Sequence, residues 1–504
     1  MKPARGIFVF SLVFWIGVTS HLAYGQDWPG VRDSLYSEIL KEQRKIQIVL
    51  PPEYEDNPTA KFEVLYVLDG EWYMQQIPFI YNFVRSSGYA PPNIFVLIPN
   101  RYVDQKNLRD RDFSPTAIAN DANLGGADNF HAFLKNELIP YIEKKYRTNG
   151  QRSLVGSSFS GLFAVYAFVK DPQLFQSYVA SDPNLNWDNN HVSRLAAEVL
   201  PGFSHVTSTL FIGGLTHSFA GMGIAEFDSV LREKAPASIA WKCLPYENET
   251  HYSVQHKAFY DGFRFSHFGY SKTAPEFHPR KGILEQGKPL AIFFLTPVGQ
   301  VRYTTDGSEP DNTSPQMPSN NILSLSGPCE LQMKYPANRP QYARAEVAVF
   351  SPGAAMKPEK LRRSSKPGLR YHLYEGDWKQ FPSTEKIQPA KSGVIDDHFN
   401  LNAHDSEKNT AWLIEGFVNI PEDGHYVFAS QSEHFVSATI AKLPLINTDG
   451  KDSKSQSFVV PLKKGLFPLR IEFFRPKGSG EIHFMIGGAT GSNDRWWTNP
   501  ILRF

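Results

Sequence analysis

A chain of 504 residues is longer than a single hydrophobic core usually supports, so we expect about two to four domains. Its composition, with 41% apolar and 20% charged residues, is that of an ordinary soluble, globular protein. The net charge of +1 excludes a strong electrostatic field, and we therefore expect no nucleic-acid partner.

The N-terminus has the pattern of a secretory signal peptide over residues 1–25. Residues 1–5 are basic, residues 6–19 carry no charge, and small residues precede Gln26. A membrane anchor is the alternative, but the apolar run is shorter than the roughly 20 residues that cross a bilayer. We predict cleavage after Gly25 and a secreted or periplasmic mature protein without a membrane span.

Residues 26–272 alternate between short apolar runs and amphipathic stretches. The runs typical of strands are 46–50, 62–68, 93–98, 153–155, 177–180, 209–212 and 239–244, and the stretches typical of helices are 129–146, 162–169 and 224–231. Strands that alternate with helices predict a mostly parallel sheet with helices on both faces.

Residues 156–161, Gly-Ser-Ser-Phe-Ser-Gly, lie between a predicted strand and a predicted helix. In that position a Gly-x-Ser-x-Gly sequence forms a nucleophile elbow, which indicates Ser158 as a catalytic serine. The last glycine of the motif is replaced by Ser160, followed by Gly161. The alternative is a serine that only caps a helix.

A serine nucleophile needs a general base, and His251 is the candidate. It follows the last predicted strand and comes after the serine in the chain, as in α/β-hydrolases. His217 and His256 are the competing histidines.

The acid that would orient the histidine is left open. The loop after 209–212 contains no carboxylate, and the candidates are Asp188, Glu226 and Asp228. A Ser-His dyad without an acid fits the sequence equally well.

An oxyanion hole requires two backbone N–H groups. Phe159, which follows the nucleophile, supplies one, and Glu71, in the loop Asp69-Gly70-Glu71, is the candidate for the other.

Residues 35–268 resemble the Putative esterase family of α/β-hydrolases, especially ferric-enterobactin esterases and related secreted esterases. The matching strings are 67–70 (VLDG), 100–101 (NR), 111–116 (RDFSPT), 125–130 (GGADNF), 137–142 (ELIPYI), the elbow and 249–253 (ETHYS). Ser157 stands where the family usually has His, and Ser160 where it has Gly. The resemblance implies an α/β-hydrolase fold and ester hydrolysis.

Two all-β segments follow. Residues 285–352 predict a small β-sandwich, and Tyr303 to Pro310 resembles a turn of the chitobiase/β-hexosaminidase C-terminal domain, which is usually a spacer. Residues 353–367 read as a linker, and the lone cysteines Cys243 and Cys329 as two independent thiols.

Residues 368–504 resemble the protective-antigen-type β-sandwich of adhesins, glycosidases and toxins. The matching strings are 368–371 (GLRY), 374–378 (YEGDW), 416–418 (GFV) and 421–428 (PEDGHYVF). Sugar-binding members carry a calcium-coordinating Ser-Asp-Asp, where this chain has Ser432-Glu433-His434. A metal-free glycan site and a purely structural role both stay open.

The sequence thus predicts an exported serine esterase that acts on acyl groups, such as acetyl or feruloyl, of a polysaccharide, without a metal or another cofactor. A catecholate siderophore esterase and a non-catalytic glycan-binding protein with a degenerate hydrolase domain are the alternatives.

Overall fold

The structure is a computed structural model that describes residues 30–118, 121, 123–270, 276–295, 300–359, 366–395, 407–432, 434–449, 456–477, 482–488 and 501–503. The predicted signal peptide, part of the predicted linker and Glu433 lie outside the described residues. No helix among the described residues is long and apolar enough to cross a membrane.

The first domain is built on an eight-stranded sheet with the order β1-β2-β4-β3-β7-β8-β9-β10. Strands β1 and β2 run antiparallel, and the strands from β4 to β10 along this order are parallel to one another. The bounds are β1 Val31–Ser37, β2 Glu42–Val49, β3 Phe62–Leu68, β4 Asn93–Ile98, β7 Thr148–Ser157, β8 Ser177–Ser181, β9 Thr209–Leu215 and β10 Ala240–Tyr246, with a separate hairpin of β5 Tyr102–Val103 and β6 Lys106–Asn107. All residues of β3, β4 and β8 are buried, as expected of a parallel sheet covered on both faces.

Helices cover the two faces of this sheet. Their bounds are α1 Glu53–Asp56, α2 Gly70–Tyr73, α3 Gln76–Ser86, α4 Arg109–Phe113, α5 Ala127–Phe133, α6 Ile139–Lys145, α7 Phe159–Lys170, α8 Trp187–Val199, α9 Thr216–Gly221, α10 Ile224–Lys234 and α11 Val254–Ser266, with a π-helical turn Leu134–Leu138 and a 3₁₀ turn Leu200–Gly202. One hydrophobic core contains residues of α5 to α8 and α10, and a second, on the other face, contains residues of α3 and α11. The predicted α/β-hydrolase class is confirmed.

The parallel direction of the strands positions the candidate site. The carboxyl ends of β3, β7, β8 and β10 lie at one edge of the sheet, so the loops after them meet there. Those loops begin with Asp69, Ser158, Asp182 and, beyond β10, His251.

The rest of the described chain is β-rich, as predicted. Its strands are β11 Phe277–His278, β12 Lys281–Leu284, β13 Leu290–Phe294, β14 Arg302–Thr304, β15 Ile322–Leu325, β16 Cys329–Tyr335, β17 Arg344–Pro352, β18 Leu369–Gly376, β19 Lys391–Ile395, β20 Asn409–Ile420, β21 Gly424–Ser432, β22 Phe435–Ile440, β23 Leu443–Asp449, β24 Gln456–Leu462, β25 Gly465–Arg475, β26 Ile482–Gly488 and β27 Ile501–Arg503, with 3₁₀ turns Pro340–Tyr342 and Thr384–Lys386. Cys243 and Cys329 are both free thiols.

One sheet joins the two predicted β-sandwiches. Its order is β14-β16-β17-β12-β24-β21-β26, and β12 pairs in parallel with β17 on one side and β24 on the other. A Cβ atom on Gly282, in β12, would lie 2.1 Å from the carbonyl oxygen of Val459, so only glycine allows this approach. The remaining sheets have the orders β11-β13-β15 and β19-β18-β20-β25-β22-β23, with β27 beside β20.

A buried ionic cluster connects the first domain to the β-rich part. Arg339, which is 0% exposed, places Nη1 3.0 Å from Oε2 of Glu63, the second residue of β3. The Tyr342 hydroxyl donates to the other oxygen of Glu63, and Nε2 of His267 lies 3.6 Å from the carboxylate. Although burial raises the pKa of Glu63, Arg339 and these neighbours lower it to about 2. The carboxylate is therefore ionised and fully engaged between the two domains.

Candidate active site

Ser158 sits in a strained turn between strand β7 and helix α7. Its backbone angles, φ 57° and ψ −117°, are unusual for a residue other than glycine, and it is the N-cap residue of α7. A Cβ atom on Gly156 would lie 2.3 Å from the carbonyl oxygen of Ser160, so the turn requires glycine there. This is the geometry of a nucleophile elbow, as the sequence predicts.

The structure explains why serine replaces glycine at position 160. The buried Ser160 hydroxyl accepts the N–H of Ser157 at 2.8 Å and donates to the carbonyl of the same residue at 2.9 Å. The close approach to the neighbouring chain is at the next residue, Gly161, where a Cβ atom would lie 3.1 Å from the side chain of Pro183. Ser160 thus clamps the turn from within.

His251 is held by a carboxylate that the sequence analysis did not identify. Its Nδ1 lies 2.6 Å from Oδ2 of Asp182, whose side chain is 0% exposed. The other oxygen, Oδ1, accepts the N–H of Leu215 at 3.1 Å. Burial raises the pKa of Asp182, but the hydrogen bonds from His251 and Leu215 outweigh burial and lower it below the usual value. Asp182 is therefore an anion that fixes the tautomer and the orientation of the imidazole.

The segment 182–184 contacts both candidate catalytic residues. Asp182 binds His251, and two residues later Oδ1 of Asn184 accepts the Ser158 hydroxyl at 3.2 Å. The Ser158 N–H also donates to the carbonyl of Ser181 at 2.9 Å. Among the described residues the Ser158 hydroxyl makes this bond to Asn184 and none to His251.

The carboxylate that binds His251 is none of the three candidates named from the sequence, and Asp182 corrects them. Glu226 accepts Asn190 Nδ2 at 2.5 Å, and Asp228 pairs with Arg232 at 2.9 Å. Asp188 accepts Arg194 through its backbone carbonyl. The rival histidines 217 and 256 are exposed. Asp182 directly follows strand β8, beside the elbow strand, and so lies nearer the end of that strand than the candidate Asp188.

The predicted oxyanion region lies at the ends of β3 and β7. Phe159 is the first residue of α7, so its N–H has no acceptor within the helix. The loop 69–71 packs closely against β4. A Cβ atom on Gly70 would lie 2.6 Å from the backbone nitrogen of Ile98, so this close packing requires glycine. Glu71 accepts the Asn100 N–H at 3.0 Å, and burial raises the pKa of its carboxyl. The roles of Phe159 and Glu71 stay predictions.

A buried ion pair between Arg109 and Asp69 fixes the position of the loop after β3. Arg109 donates from Nε and Nη2 to the two oxygens of Asp69, both at 2.7 Å, and Asp69 is 0% exposed. Nη2 of Arg109 also donates to the carbonyl of Ser157 at 3.1 Å, which ties the oxyanion loop to the elbow. Burial lowers the pKa of Arg109, but Asp69 outweighs it and raises the pKa above the usual value. A bidentate pair of this kind fixes geometry as well as charge.

Exposed aromatic residues lie on the loops around the site. Trp72 is 48% exposed and has the Arg109 guanidinium 5.1 Å from its ring centre, and Tyr252 is 78% exposed next to His251. Tyr102, in the β5–β6 hairpin, is 46% exposed. These rings add exposed apolar surface next to the candidate site.

Comparison with protein families agrees with two of the predicted resemblances. Residues 37–204 match the family model described as "Putative esterase", and residues 365–489 match the model described as "PA14 domain". The first match includes Ser158 and Asp182 and ends before His251. The chitobiase-like resemblance of the small β-rich unit stays a prediction.

Several characterised proteins are similar to the first domain. A siderophore triacetylfusarinine C esterase of Aspergillus fumigatus is 27% identical over 153 residues, which cover 29% of this chain and 52% of that protein. The ferri-bacillibactin esterase BesA of Bacillus subtilis is 28% identical, over 29% of this chain and 56% of its own length. This chain spans about half the length of these curated relatives. An IroE-like serine hydrolase of Shewanella oneidensis, a solved structure, is 32% identical with a TM-score of 0.42, over 46% of this chain and 78% of its own.

Proposed function

Since residues 37–204 form a domain of the Putative esterase family, we propose that this chain is an exported serine esterase that removes acyl groups from a carbohydrate. The observation that carries the proposal is the 2.6 Å hydrogen bond between Asp182 and His251, beside the strained elbow of Ser158. A buried carboxylate, an imidazole and a serine in a nucleophile elbow are the parts of an acyl-transfer site.

In this proposal the Ser158 hydroxyl turns from Asn184 towards His251 and attacks the ester carbonyl. Nε2 of His251 takes the proton, while Asp182 stabilises the imidazolium through Nδ1. The imidazolium then protonates the leaving alcohol, and an acyl-enzyme remains on Ser158. Water, activated by the same imidazole, releases the acid and restores the serine.

The tetrahedral intermediates carry a negative oxygen that needs donors. We assign this role to the N–H groups of Phe159 and Glu71, at the start of α7 and in the loop after β3. The N-terminus of α7 adds its positive dipole end.

The carbohydrate substrate is inferred from the rest of the chain. A PA14 domain, a carbohydrate-binding type of domain, follows the esterase domain, and the first 25 residues have the features of an export signal. An esterase tethered to a glycan-binding module gains effective concentration at its polymeric substrate.

The test is turnover of p-nitrophenyl acetate and labelling by a fluorophosphonate probe, for the wild-type chain and for Ser158→Ala. We expect the wild-type chain to label and to hydrolyse the ester, and Ser158→Ala to do neither while its melting temperature stays the same. Ser193→Ala is the control, because it removes a buried serine hydroxyl of α8 outside the elbow and leaves the nucleophile and its turn intact. Absence of labelling in the wild type, together with glycan binding, would favour a non-catalytic glycan-binding protein.

A siderophore ester is the second candidate substrate, because two similar proteins are named as siderophore esterases. Kinetics on acetylated xylan, feruloylated oligosaccharide and a tri-catecholate lactone separate the two. A kcat/KM for the lactone at least about tenfold above both carbohydrate esters would overturn the carbohydrate assignment.

A further inference from the structure

A cleft of about 710 Å³ lies between the esterase domain and the β-rich part of the chain. One wall comes from strand β10, helix α11 and the residues that follow it, and the other comes from Val301, Tyr335 and their neighbours. Ligand sites typically have about 300–1,000 Å³ and favour domain interfaces. None of the residues proposed to act on the ester lines this cleft.

Aromatic rings form much of the wall. Tyr89 is 46% exposed and Phe268 is 37% exposed, and Phe265, Tyr270 and Tyr335 complete the aromatic surface. Tyrosine combines an apolar face with a hydroxyl that forms hydrogen bonds. Such a surface suits a sugar ring, because a sugar has apolar C–H faces and hydroxyl groups at its edge.

Two cations give the cleft a positive excess. Lys242 and Arg264 line it, and within the described part of the chain no carboxylate lies within ion-pairing distance of either. The carboxylate in the lining is Asp261, and its Oδ2 already accepts the Tyr246 hydroxyl at 2.7 Å.

The Arg264 guanidinium is held in place by aromatic rings. It lies 4.5 Å from the ring centre of Tyr89 and 5.7 Å from that of Tyr260. Stacking uses the face of the guanidinium and leaves its N–H edge for a planar anion such as a carboxylate.

We propose that this cleft is a binding site for an acidic oligosaccharide. Lys242 and Arg264 bind a carboxylate of the sugar, and the tyrosine rings pack against the sugar faces. This inference goes beyond the proposed ester hydrolysis and does not depend on it.

The position of the cleft relates it to the candidate active site. Lys242 lies near the start of β10, and the loop with His251 follows the end of that strand. At about 3.3 Å per residue, Lys242 and Tyr246 are about 13 Å apart along the strand. The cleft is therefore separated from the candidate active site by at least about this length of the sheet, so only a long, polymeric ligand can contact both.

The test measures binding by calorimetry with the full-length chain. The probes are a galacturonate tetramer and the neutral galactose tetramer obtained by reduction of its carboxyl groups. The variants are Lys242→Gln and Arg264→Gln. Arg232→Gln is the matched control: Arg232 is also exposed and stacks on an aromatic ring, 5.6 Å from Trp241, but lies outside the cleft.

We expect the acidic tetramer to bind at least about tenfold more tightly than the neutral one, and more weakly as ionic strength rises. Each cleft variant should lose about tenfold or more in affinity, and Arg232→Gln should bind like the wild type. Equal binding of both tetramers, no binding, or unchanged affinity in the cleft variants would overturn the proposal.

Turnover of p-nitrophenyl acetate by the same proteins separates this inference from the proposed function. Both cleft variants should hydrolyse it at the wild-type rate. A chain without esterase activity that still binds the acidic tetramer through Lys242 and Arg264 would refute the enzyme and leave the cleft site standing.

Discussion

The substitution Asp182→Asn tests the orientation of the candidate base. The asparagine keeps the volume of the buried side chain, and its Oδ1 can still accept the Leu215 N–H. Its Nδ2 is a donor, however, and faces Nδ1 of His251, where the aspartate accepts. The imidazole must then carry its proton on Nε2, and a protonated Nε2 cannot take the proton of Ser158.

The expected loss in kcat is about 10⁴-fold, the effect of the wrong tautomer in serine-protease triads. The loss of stability should stay within about 1–3 kcal/mol, because one charge-assisted hydrogen bond is weakened and no cavity forms. The lowered pKa of Asp182 means that it stays ionised until the pH falls below its ordinary value.

The assay is kcat for p-nitrophenyl acetate, with circular dichroism to confirm folding. Asp188→Asn and Glu226→Gln are the controls, because both residues were candidate acids from the sequence and the carboxylate on His251 is that of Asp182. Less than a tenfold loss in Asp182→Asn, or a loss of the expected size in either control, would refute the role of this carboxylate.

Three more substitutions probe the frame around the site. Gly70→Ala puts a methyl group 2.6 Å from the backbone nitrogen of Ile98, so the loop 69–71 must shift. Because this moves the N–H of Glu71, kcat should fall about 10²–10³-fold. An unchanged kcat would exclude Glu71 as an oxyanion donor. Arg109→Met leaves the buried Asp69 carboxylate without its cation, with only Asn100 Nδ2 still donating to it at 2.8 Å. The free energy of unfolding should fall by about 3–5 kcal/mol, and the double variant with Asp69→Asn should recover most of this loss. Equal stability of the single and the double variant would contradict a buried ion pair. Glu63→Gln tests the contact between the domains. The pKa of Glu63 is about 2 in the folded protein, against an ordinary value of 4.5, so its ionised form stabilises the folded state by about 3 kcal/mol above pH 4.5. This stabilisation is lost as the pH falls towards 2. The difference between variant and wild type in urea denaturation should thus be large at neutral pH and vanish near pH 2.

The positions of the central strands were predictable because strands buried on both faces of a parallel sheet consist of continuous apolar runs. The runs at 62–68 and 93–98 match β3 and β4, since all their residues are buried. Helices α3, α8 and α11 were not among the predicted elements. In α3, Phe79 and Phe83 are exposed, so its apolar residues are not confined to the buried face and the helical periodicity is weak. The sheet shared by the two β-sandwiches was not predictable either, because β12 pairs with residues about 70 and 180 positions away.

In the candidate site, too, the residues in short local motifs were predictable, and the contacts between distant residues were not. The elbow and His251 follow from short strings with a known structural context. Asp182 is 69 positions from His251, and a lone Asp-Pro after a strand reads as a turn. The Asp69–Arg109 pair spans 40 positions and has no sequence motif, so only the fold reveals it.

Strand β3 shows how the domains are arranged about the site. Glu63, near its start, binds Arg339 of the β-rich part, and Asp69, just beyond its end, supports the oxyanion loop. At about 3.3 Å per residue these ends are about 20 Å apart. The β-rich part therefore attaches at the end of the sheet opposite the candidate active site. Tyr252, next to His251, is 78% exposed, so the β-rich part does not cover this side of the candidate site.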